Sequence, residues 1–374
     1  MSETDGKKPV LLAITNHSFM FWQFRRELME ELQKTYEVII STPYEGHEDD
    51  FKALGFTLIK TNVDRRGLHP RADFKLFRTY QKMMKDLKPA MVVTYSIKPN
   101  VYGGWAARLA KIPCCVNVQG LGTAFQYEPI ASVASILYRG AIKKAKAVFF
   151  ENEESARVFE ERKIVKGDKV TVLPGAGVNL DYYEYQPYPK HKGIRFLYLG
   201  RIMKEKGMNE LFWAAKKLHE EFGSKVRLDL AGFFEEEYQG QVEELVSEGA
   251  AIFHGFAKDS RQYYQSADCV VLPSYHEGMS NVLLEACATG RAIITSDIPG
   301  CREAVEEGKN GFLCKPADRA SLLEAMRKFV LLSSKEREAM GQYGREKMAR
   351  EFNRTDVVEK TARIIKESTE AGWN

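Results

Sequence analysis

Short apolar runs alternate with helix-length amphipathic segments along this 374-residue chain, in two consecutive series. In the first series the runs are PVLLAIT (from Pro9), YEVIIS (from Tyr36), AMVVTYS (from Ala90), CCVNV (from Cys114) and AVFF (from Ala147). In the second they are IRFLYLG, VRLDLAG, AAIFHG, DCVVLPS and RAIITS. Runs this short and this continuously apolar are buried on both faces, and helices between them cover those faces. The pattern predicts an α/β chain with two doubly wound, Rossmann-like parallel sheets in series. Between the series lies YYEYQPYPKHKG (Tyr182–Gly193), with two prolines, four tyrosines and no periodicity, which reads as a linker. The expected domains are residues 1–185 and 186–354. In the last segment, RTDVVEKTARIIKESTE, Val358, Ala362 and Ile365 share one helical face. Residues 355–374 are therefore expected to form a helix that packs back on the first domain.

No apolar run approaches the roughly 18 residues of a membrane span. The start, MSETDGKKPVLLAIT, has no apolar stretch ahead of a cleavage site, so no signal peptide is expected. The six cysteines form no C-x-x-C pair and sit in apolar surroundings, as small core residues of a reduced, cytoplasmic protein. The net charge of +4 is unevenly spread: Phe51 to Phe150 holds 17 Lys/Arg against 4 Asp/Glu. Part of that excess is DFKLFRTYQKMMKDLK, where Lys75, Arg78, Lys82 and Lys85 recur at helical spacing beside Phe74, Phe77, Tyr80, Met84 and Leu87. It reads either as a basic surface lying on anionic lipid or as an ordinary helix with a solvated face. No nucleic-acid-binding motif accompanies the charge.

In open parallel sheets ligands bind at the carboxyl ends of the strands, so the loops there carry the chemistry. The first loop, TNHSFMFW, has no G-x-G-x-x-G, and the chain has no G-x-x-x-x-G-K-[ST]. Nicotinamide dehydrogenases and P-loop ATPases are disfavoured. In LYLGRIMKEKGMNELFWAAKKL a strand ends at Gly200, Arg201 follows, and Lys206 and Gly207 open a helix with core face Leu211, Ala215, Leu218 and Phe222. Two cations beside a helix N-terminus suit a diphosphate. Alone, they read equally as solvated surface cations.

The stretch SYHEGMSNVLLEACATG puts Glu277 and Glu285 eight positions apart. Tyr275 to Gly278 form the loop after a strand, and a helix begins near Met279–Asn281. Its first N–H groups can bind an anion, and Gly278 allows close approach. Eight helical residues rise about 12 Å, the order of the span from a hexose through a diphosphate to a ribose. Each carboxylate is then an acceptor for sugar hydroxyls; the alternative is a helix-dipole role for Glu277 and an exposed Glu285.

These motifs, in this order, resemble the retaining, nucleotide-sugar-dependent glycosyltransferases of family 4. E-G-M-S-N-V-L-L-E-A is similar to that family's E-x7-E signature, and LGRIMKEKG to its diphosphate-binding motif. VLPGAGVNLDYY, AIFHGFAKD and GKNGFLCKPAD resemble its strand and loop before the linker, its nucleobase loop and its late hairpin. TYSIKPNVYGG, VQGLGTAF and VDRRGLHP look most like the branch that builds capsular polysaccharide, exopolysaccharide and lipid-linked glycans in bacteria. The resemblance implies a GT-B fold, with two Rossmann-like domains facing across a cleft. The first would bind the acceptor and the second the nucleotide sugar.

Residue by residue, the resemblance assigns Arg201 and Lys206 to the donor diphosphate and Glu277 to the donor sugar, all three as catalytic residues. Gly200, Gly278, Met279, Ser280, Asn281 and Val282 would line the donor site, Phe256 would offer its backbone to the base, and Glu285 would bind the ribose. The implied reaction retains anomeric configuration, a donor phosphate oxygen receiving the acceptor proton. No cofactor is implied. The chain has no D-x-D, so no metal site is expected. One departure is Gln119 in NVQGLG, where many relatives carry histidine. Gln119 and Gly120, with His17, Lys98 and Asn100, are the acceptor-side candidates; Arg65 and Arg66 are further candidates for a pyrophosphate-linked acceptor, and His276 for the sugar pocket.

The expected activity is transfer of a hexose or N-acetylhexosamine, from a UDP-sugar, to a saccharide on undecaprenyl diphosphate at the inner face of the cell membrane. The expected partners are the donor, that acceptor and an anionic membrane surface. The alternatives are a glycosyltransferase with a soluble acceptor and a non-catalytic nucleotide-sugar-binding protein.

Overall fold

The structure is a computed structural model describing residues 7–64, 69–122, 125 and 127–373. The chain divides into two compact units, Met1–Ala176 with Thr355–Asn374, and Gly177–Arg354. In the first, strands β1 (Val10–Ile14), β2 (Glu37–Thr42), β3 (Thr57–Lys60), β4 (Met91–Tyr95), β5 (Cys114–Val118), β6 (Ala147–Phe150) and β7 (Val170–Val172) form one sheet in the order β3-β2-β1-β4-β5-β6-β7. All pairings are parallel. Both faces are covered, as the unbroken apolar runs require. On one side Leu12 and Ile14 of β1 pack with helices α3 (Pro70–Leu87), α4 (Gly104–Ala110), α5 (Glu128–Ile142) and α6 (Glu153–Glu161). On the other, Leu11 and Ala13 pack with α1 (Ser18–Gln33), α2 (Glu48–Ala53) and α13 (Arg354–Glu370). Helix α13 belongs to this unit through buried Val357, Ala362 and Ile365, with Lys366 3.1 Å from Glu31.

In the second unit, β8 (Ile194–Leu199), β9 (Val226–Ala231), β10 (Ala251–Phe253), β11 (Cys269–Leu272), β12 (Ala292–Ser296) and β13 (Gly311–Cys314) are ordered β10-β9-β8-β11-β12-β13. Helices α7 (Met208–Phe222), α8 (Gln239–Ser247), α9 (Arg261–Ser266), α10 (Asn281–Ala288), α11 (Arg319–Leu331) and α12 (Ser334–Glu351) cover them. The expected core face of α7 is buried at Leu211, Ala215 and Leu218, with Phe222 packed beside it. Asp318 caps α11, and a Ser333–Glu336 capping box starts α12, satisfying first-turn N–H groups. The segment expected as a late hairpin is instead a tight turn, Gly308 N–H to Gly311 O at 2.9 Å, followed by β13 running parallel to β12. All six cysteines are buried free thiols.

The unit boundary at 176/177 lies upstream of the one read from composition, for a physical reason. The stretch that reads as linker, and the residues just before it, are tied into the second unit by three arginines, of which Arg291 and Arg354 are buried. Arg291, 0% exposed, donates to the carbonyls of Gln186 and Pro187 as well as Tyr264. Arg345 donates to Tyr183 O and Leu180 O, and Arg354 to Gly177 O. Val178 pairs with Asn353 as an isolated parallel bridge. Irregular backbone has no ladder partners for its carbonyls, and the guanidinium forks supply donors.

Each sheet has one switch point, where the strand order reverses: between β1 and β4 in the first unit, and between β8 and β11 in the second. In doubly wound sheets ligand sites form at the carboxyl end of that gap.

Candidate functional site

The loops after β8 and β11 flank the second unit's switch point and are fastened to each other. Tyr275 N–H donates to Glu205 O at 2.8 Å, and the Tyr275 hydroxyl to Glu210 at 2.7 Å. Gly207 (φ +73°) lies against Pro273, so closely that a Cβ there would sit 2.1 Å from the Pro273 carbonyl oxygen. Only glycine combines that left-handed backbone with that approach. The fastening sets Lys206 Nζ 2.5 Å from Glu277 Oε1, both side chains about 15% exposed. Ser274 Oγ donates to the same oxygen at 2.8 Å. Lys206 and Glu277 thus form a half-enclosed ion pair at the mouth of the sheet, oriented by a hydroxyl.

Beyond Glu277 the chain turns into α10. Ser280 N–H donates to Gly300 O at 2.8 Å, and Gly300 (φ +83°) packs so tightly that a Cβ would lie 2.2 Å from Gly278 O. This clamp fixes Gly278. Met279 and Ser280 are buried, while Asn281 and Val282 are half-buried at the helix start. Asn281 Oδ1 is buried without a hydrogen-bond partner among the described residues. First-turn amides carry partial positive charge and have no intrahelical acceptor, so the α10 start favours an anion.

Arg201 makes a separate ion pair. It follows Gly200 at the end of β8, is 47% exposed at its side chain, and bonds Glu235 at 2.6 Å in the loop after β9. Its carbonyl accepts from the buried Tyr198 hydroxyl at 2.5 Å, and Gly200 N–H donates to Ala231 O at 3.0 Å. The structure brings Lys206 to Glu277, and Arg201 to a carboxylate that sequence reading did not single out. Phe256, after β10, is 57% exposed, with its ring 6.1 Å from that of Phe233. His276 is exposed.

Glu285 is 4% exposed and accepts the Tyr264 hydroxyl at 2.8 Å. Burial pushes its carboxyl up to about 7; hydrogen bonds from Tyr264 and Tyr183 and the charge of Arg354 oppose the rise. The expectation of an exposed Glu285 as the alternative reading does not hold. The helical ruler of about 12 Å also needs correction, because Glu277 lies before α10, which starts at Asn281. Only part of the interval between the two carboxylates is helical, the rest being the clamped turn.

In the first unit, His17 and Lys98 follow β1 and β4 at the switch point, and Gln119 follows β5. His17 Nδ1 lies 3.0 Å from Glu45. Gln119 Oε1 accepts from Ser96 Oγ at 3.3 Å, and Gly120 beside it is half-buried. Lys98 is buried and neutralised by Asp73 of α3 at 2.8 Å. Asn100 is 0% exposed and donates to Asn117 O at 2.8 Å. Lys98 and Asn100, expected on the acceptor side, are thus buried and engaged with partners in this unit. Arg65 and Arg66 lie outside the described residues. Among the described residues no three His, Cys, Asp or Glu side chains cluster as metal ligands.

Sequence reading missed Ser274, Tyr275, Glu235, Tyr264 and Gly300. Only Tyr275 and Ser274 had a signal, their nearness to Glu277 in the chain. The others come from separate elements, Glu235 and Gly300 from loops and Tyr264 from α9.

Residues 10–152 match the family model of glycosyl transferase 4-like proteins, and residues 185–347 that of glycosyl transferases group 1. The chain is a family 4 glycosyltransferase. Enzymes of this family are retaining hexosyltransferases. This glycosyltransferase is 29% identical over 322 residues to the N,N'-diacetylbacillosaminyl-diphospho-undecaprenol alpha-1,3-N-acetylgalactosaminyltransferase of Campylobacter jejuni, covering 81% of this chain and 84% of that one. It is 25% identical over 331 residues to the capsular polysaccharide biosynthesis glycosyltransferase CapM of Staphylococcus aureus, covering 81% and 83%. In fold it matches Anabaena HepE, solved with UDP-glucose, at a TM-score of 0.78 and 16% identity over 96% of this chain and 100% of that one. The glycosyltransferase therefore has the GT-B fold. No helix among its described residues is long and apolar enough to cross a membrane.

Proposed function

We propose that this enzyme moves a hexosyl or N-acetylhexosaminyl group from a UDP-sugar to a saccharide carried on undecaprenyl diphosphate, at the cytoplasmic face of the membrane. The second unit binds the donor and the first the acceptor. The observation that carries the reading is the Lys206–Glu277 pair, 2.5 Å apart at the switch point beside the start of α10. The Campylobacter jejuni relative, whose name specifies an undecaprenol-linked acceptor, supports the acceptor class. HepE, solved with UDP-glucose, supports the nucleotide.

In this reading Lys206 and the α10 amides take the donor diphosphate. Gly278 to Val282 line that subsite, and Gly200 lets the backbone approach. Arg201 exchanges Glu235 for a phosphate oxygen. Charge on the diphosphate grows as the glycosidic bond breaks, and cations already in position stabilise it without reorganising. Glu277, held by Lys206 and Ser274, accepts hydrogen bonds from donor-sugar hydroxyls. Glu285 keeps the Tyr264 hydroxyl on one oxygen and takes a ribose hydroxyl with the other, since a carboxylate has about four acceptor sites. The backbone at Phe256 meets the base. Transfer occurs on one face of the sugar, with a donor phosphate oxygen receiving the acceptor proton. His17 and Gln119, with Gly120, bind acceptor hydroxyls.

The test is a product-mass screen of UDP- and GDP-sugars against an undecaprenyl-diphosphate saccharide and a soluble sugar phosphate. A gain of one hexosyl or N-acetylhexosaminyl residue on the lipid-linked acceptor is expected. Transfer only to the soluble acceptor would replace the acceptor assignment.

A further inference from the structure

The loops after β8 and β9 run side by side past the ends of their strands. Ile202 N–H donates to Phe233 O at 2.8 Å, and Glu235 N–H donates back to Ile202 O at 3.1 Å. Ile202 and Phe234 form an isolated parallel bridge, and Ile202 is fully buried. Gly232 lies so close to the β8 loop that a Cβ there would sit 1.8 Å from Gly200 O. One residue past Glu235, Glu236 Oε2 accepts the Lys204 N–H at 2.8 Å. The backbone around Glu235 is thus bonded on both sides to the segment that carries Arg201.

That fastening fixes one partner of the Arg201–Glu235 pair more firmly than the other. Glu235 is 18% exposed at its side chain and anchored through its own N–H, while Arg201 is more exposed and on a longer stem. A diphosphate can draw the guanidinium away, but the carboxylate stays where it is. Any anion that takes Arg201 must break a pair 2.6 Å apart and then lie near the negative charge left behind. A guanidinium with no fixed counter-ion would bind a diphosphate more tightly. The carboxylate instead gives Arg201 a partner to return to once the anion has gone.

We infer that Glu235 is a positioning residue that speeds departure of the nucleotide product. It holds Arg201 extended between turnovers and retakes the guanidinium as UDP leaves. The inference deepens the donor-site reading and rests on it, since it takes Arg201 as a ligand of the diphosphate. Product release limits many enzymes. A built-in competitor for the product's cation shortens that step and lowers affinity for UDP and UDP-sugar alike. No bond is made or broken: one ion pair replaces another, and the charge on Arg201 is balanced in both states.

The full chain is tested by calorimetric titration with UDP and with uridine, which has no phosphate. The variants are Glu235→Gln, Glu235→Ala, Arg201→Met and Arg201→Met with Glu235→Gln, each with its unfolding midpoint measured. Both Glu235 variants should bind UDP about tenfold more tightly than wild type and bind uridine equally. Most of the gain should lie in slower dissociation of UDP, read by stopped-flow displacement. In steady state the donor KM and the UDP inhibition constant should fall together, while kcat does not rise. In the Arg201→Met background, Glu235→Gln should gain less than it does in wild type. A purely structural Glu235 gives the opposite sign, because its loss would weaken UDP and uridine together. UDP bound by Glu235→Ala no more tightly than by wild type, tightening that extends to uridine, or a rise in kcat would overturn the inference. If Arg201→Met meanwhile weakens UDP, the donor-site reading stands without it. UDP affinity unchanged in Arg201→Met would remove Arg201 from the donor diphosphate, and the inference with it.

Discussion

Replacing Glu285 with glutamine separates the charge of this buried carboxyl from its shape. The amide oxygen can still accept the Tyr264 hydroxyl, now 2.8 Å from Glu285. What changes is the burial of a charge. Burial raises the carboxyl from 4.5 to about 7, against the opposing hydrogen bonds of Tyr264 and Tyr183. At about 1.4 kcal/mol per pH unit, that rise corresponds to roughly 3 kcal/mol. Below pH 4.5 the group is protonated whether the chain is folded or not, and it costs nothing. Between 4.5 and about 7 the folded chain keeps a proton that the unfolded chain releases, so wild-type stability falls as pH rises. Above 7 the full cost is present. Glu285→Gln should therefore match wild type near pH 4 and exceed it by up to ~3 kcal/mol near pH 8. Urea unfolding of both proteins across this range reads the difference directly. If the ionised carboxylate takes a ribose hydroxyl, the same variant should bind UDP about tenfold more weakly at pH 8. A variant less stable than wild type at pH 8, or a difference flat with pH, refutes the reasoning.

Three further outcomes follow from the geometry. Turnover should persist in excess chelator, because the proposed function gives Arg201 and Lys206 the charge-neutralising part that a divalent cation would otherwise play; activity lost to chelator and restored only by Mg²⁺ or Mn²⁺ contradicts this. Gly207→Ala should lower donor affinity by at least tenfold, since a Cβ 2.1 Å from Pro273 O forces apart the loops that join Lys206 to Glu277; calorimetric titration with UDP checks it. Arg291→Met should destabilise the fold by about 3 kcal/mol or more, because it strips donors from the buried carbonyl of Tyr264 and the part-buried carbonyls of Gln186 and Pro187; a thermal midpoint within a degree or so of wild type contradicts that.

How much of this could be read from sequence depends on how far each feature reaches along the chain. Ten strands were legible: nine are central, buried on both faces and continuous apolar runs, and the tenth, β10, is a sheet edge. The three that were not, β3, β7 and β13, are all sheet edges. TLIK is exposed at both ends, VTV is only half-buried, and GFLC begins with the glycine that must lie against Ile293 O. Such strands need pair on one side only and leave a weak pattern. Helix α3 was legible as amphipathic. At the site, Glu277, Glu285 and the two cations stood out through local motifs. Their partners did not: Lys206 meets Glu277 from 71 positions away, and Arg201 meets Glu235 from 34. Lys98 looked available because its loop is polar, and its partner Asp73 sits on another element.

The central claim is that Lys206 and Glu277 bind the donor where its bond breaks. The measurement is turnover of wild type, Lys206→Ala and Glu277→Ala at saturating UDP-sugar and acceptor, each variant first shown to be folded. Loss of one transition-state contact predicts a fall of about 10² or more in each variant. The double variant should fall by less than the product of the two, since the side chains touch at 2.5 Å. Near-normal turnover in both single variants would contradict the account.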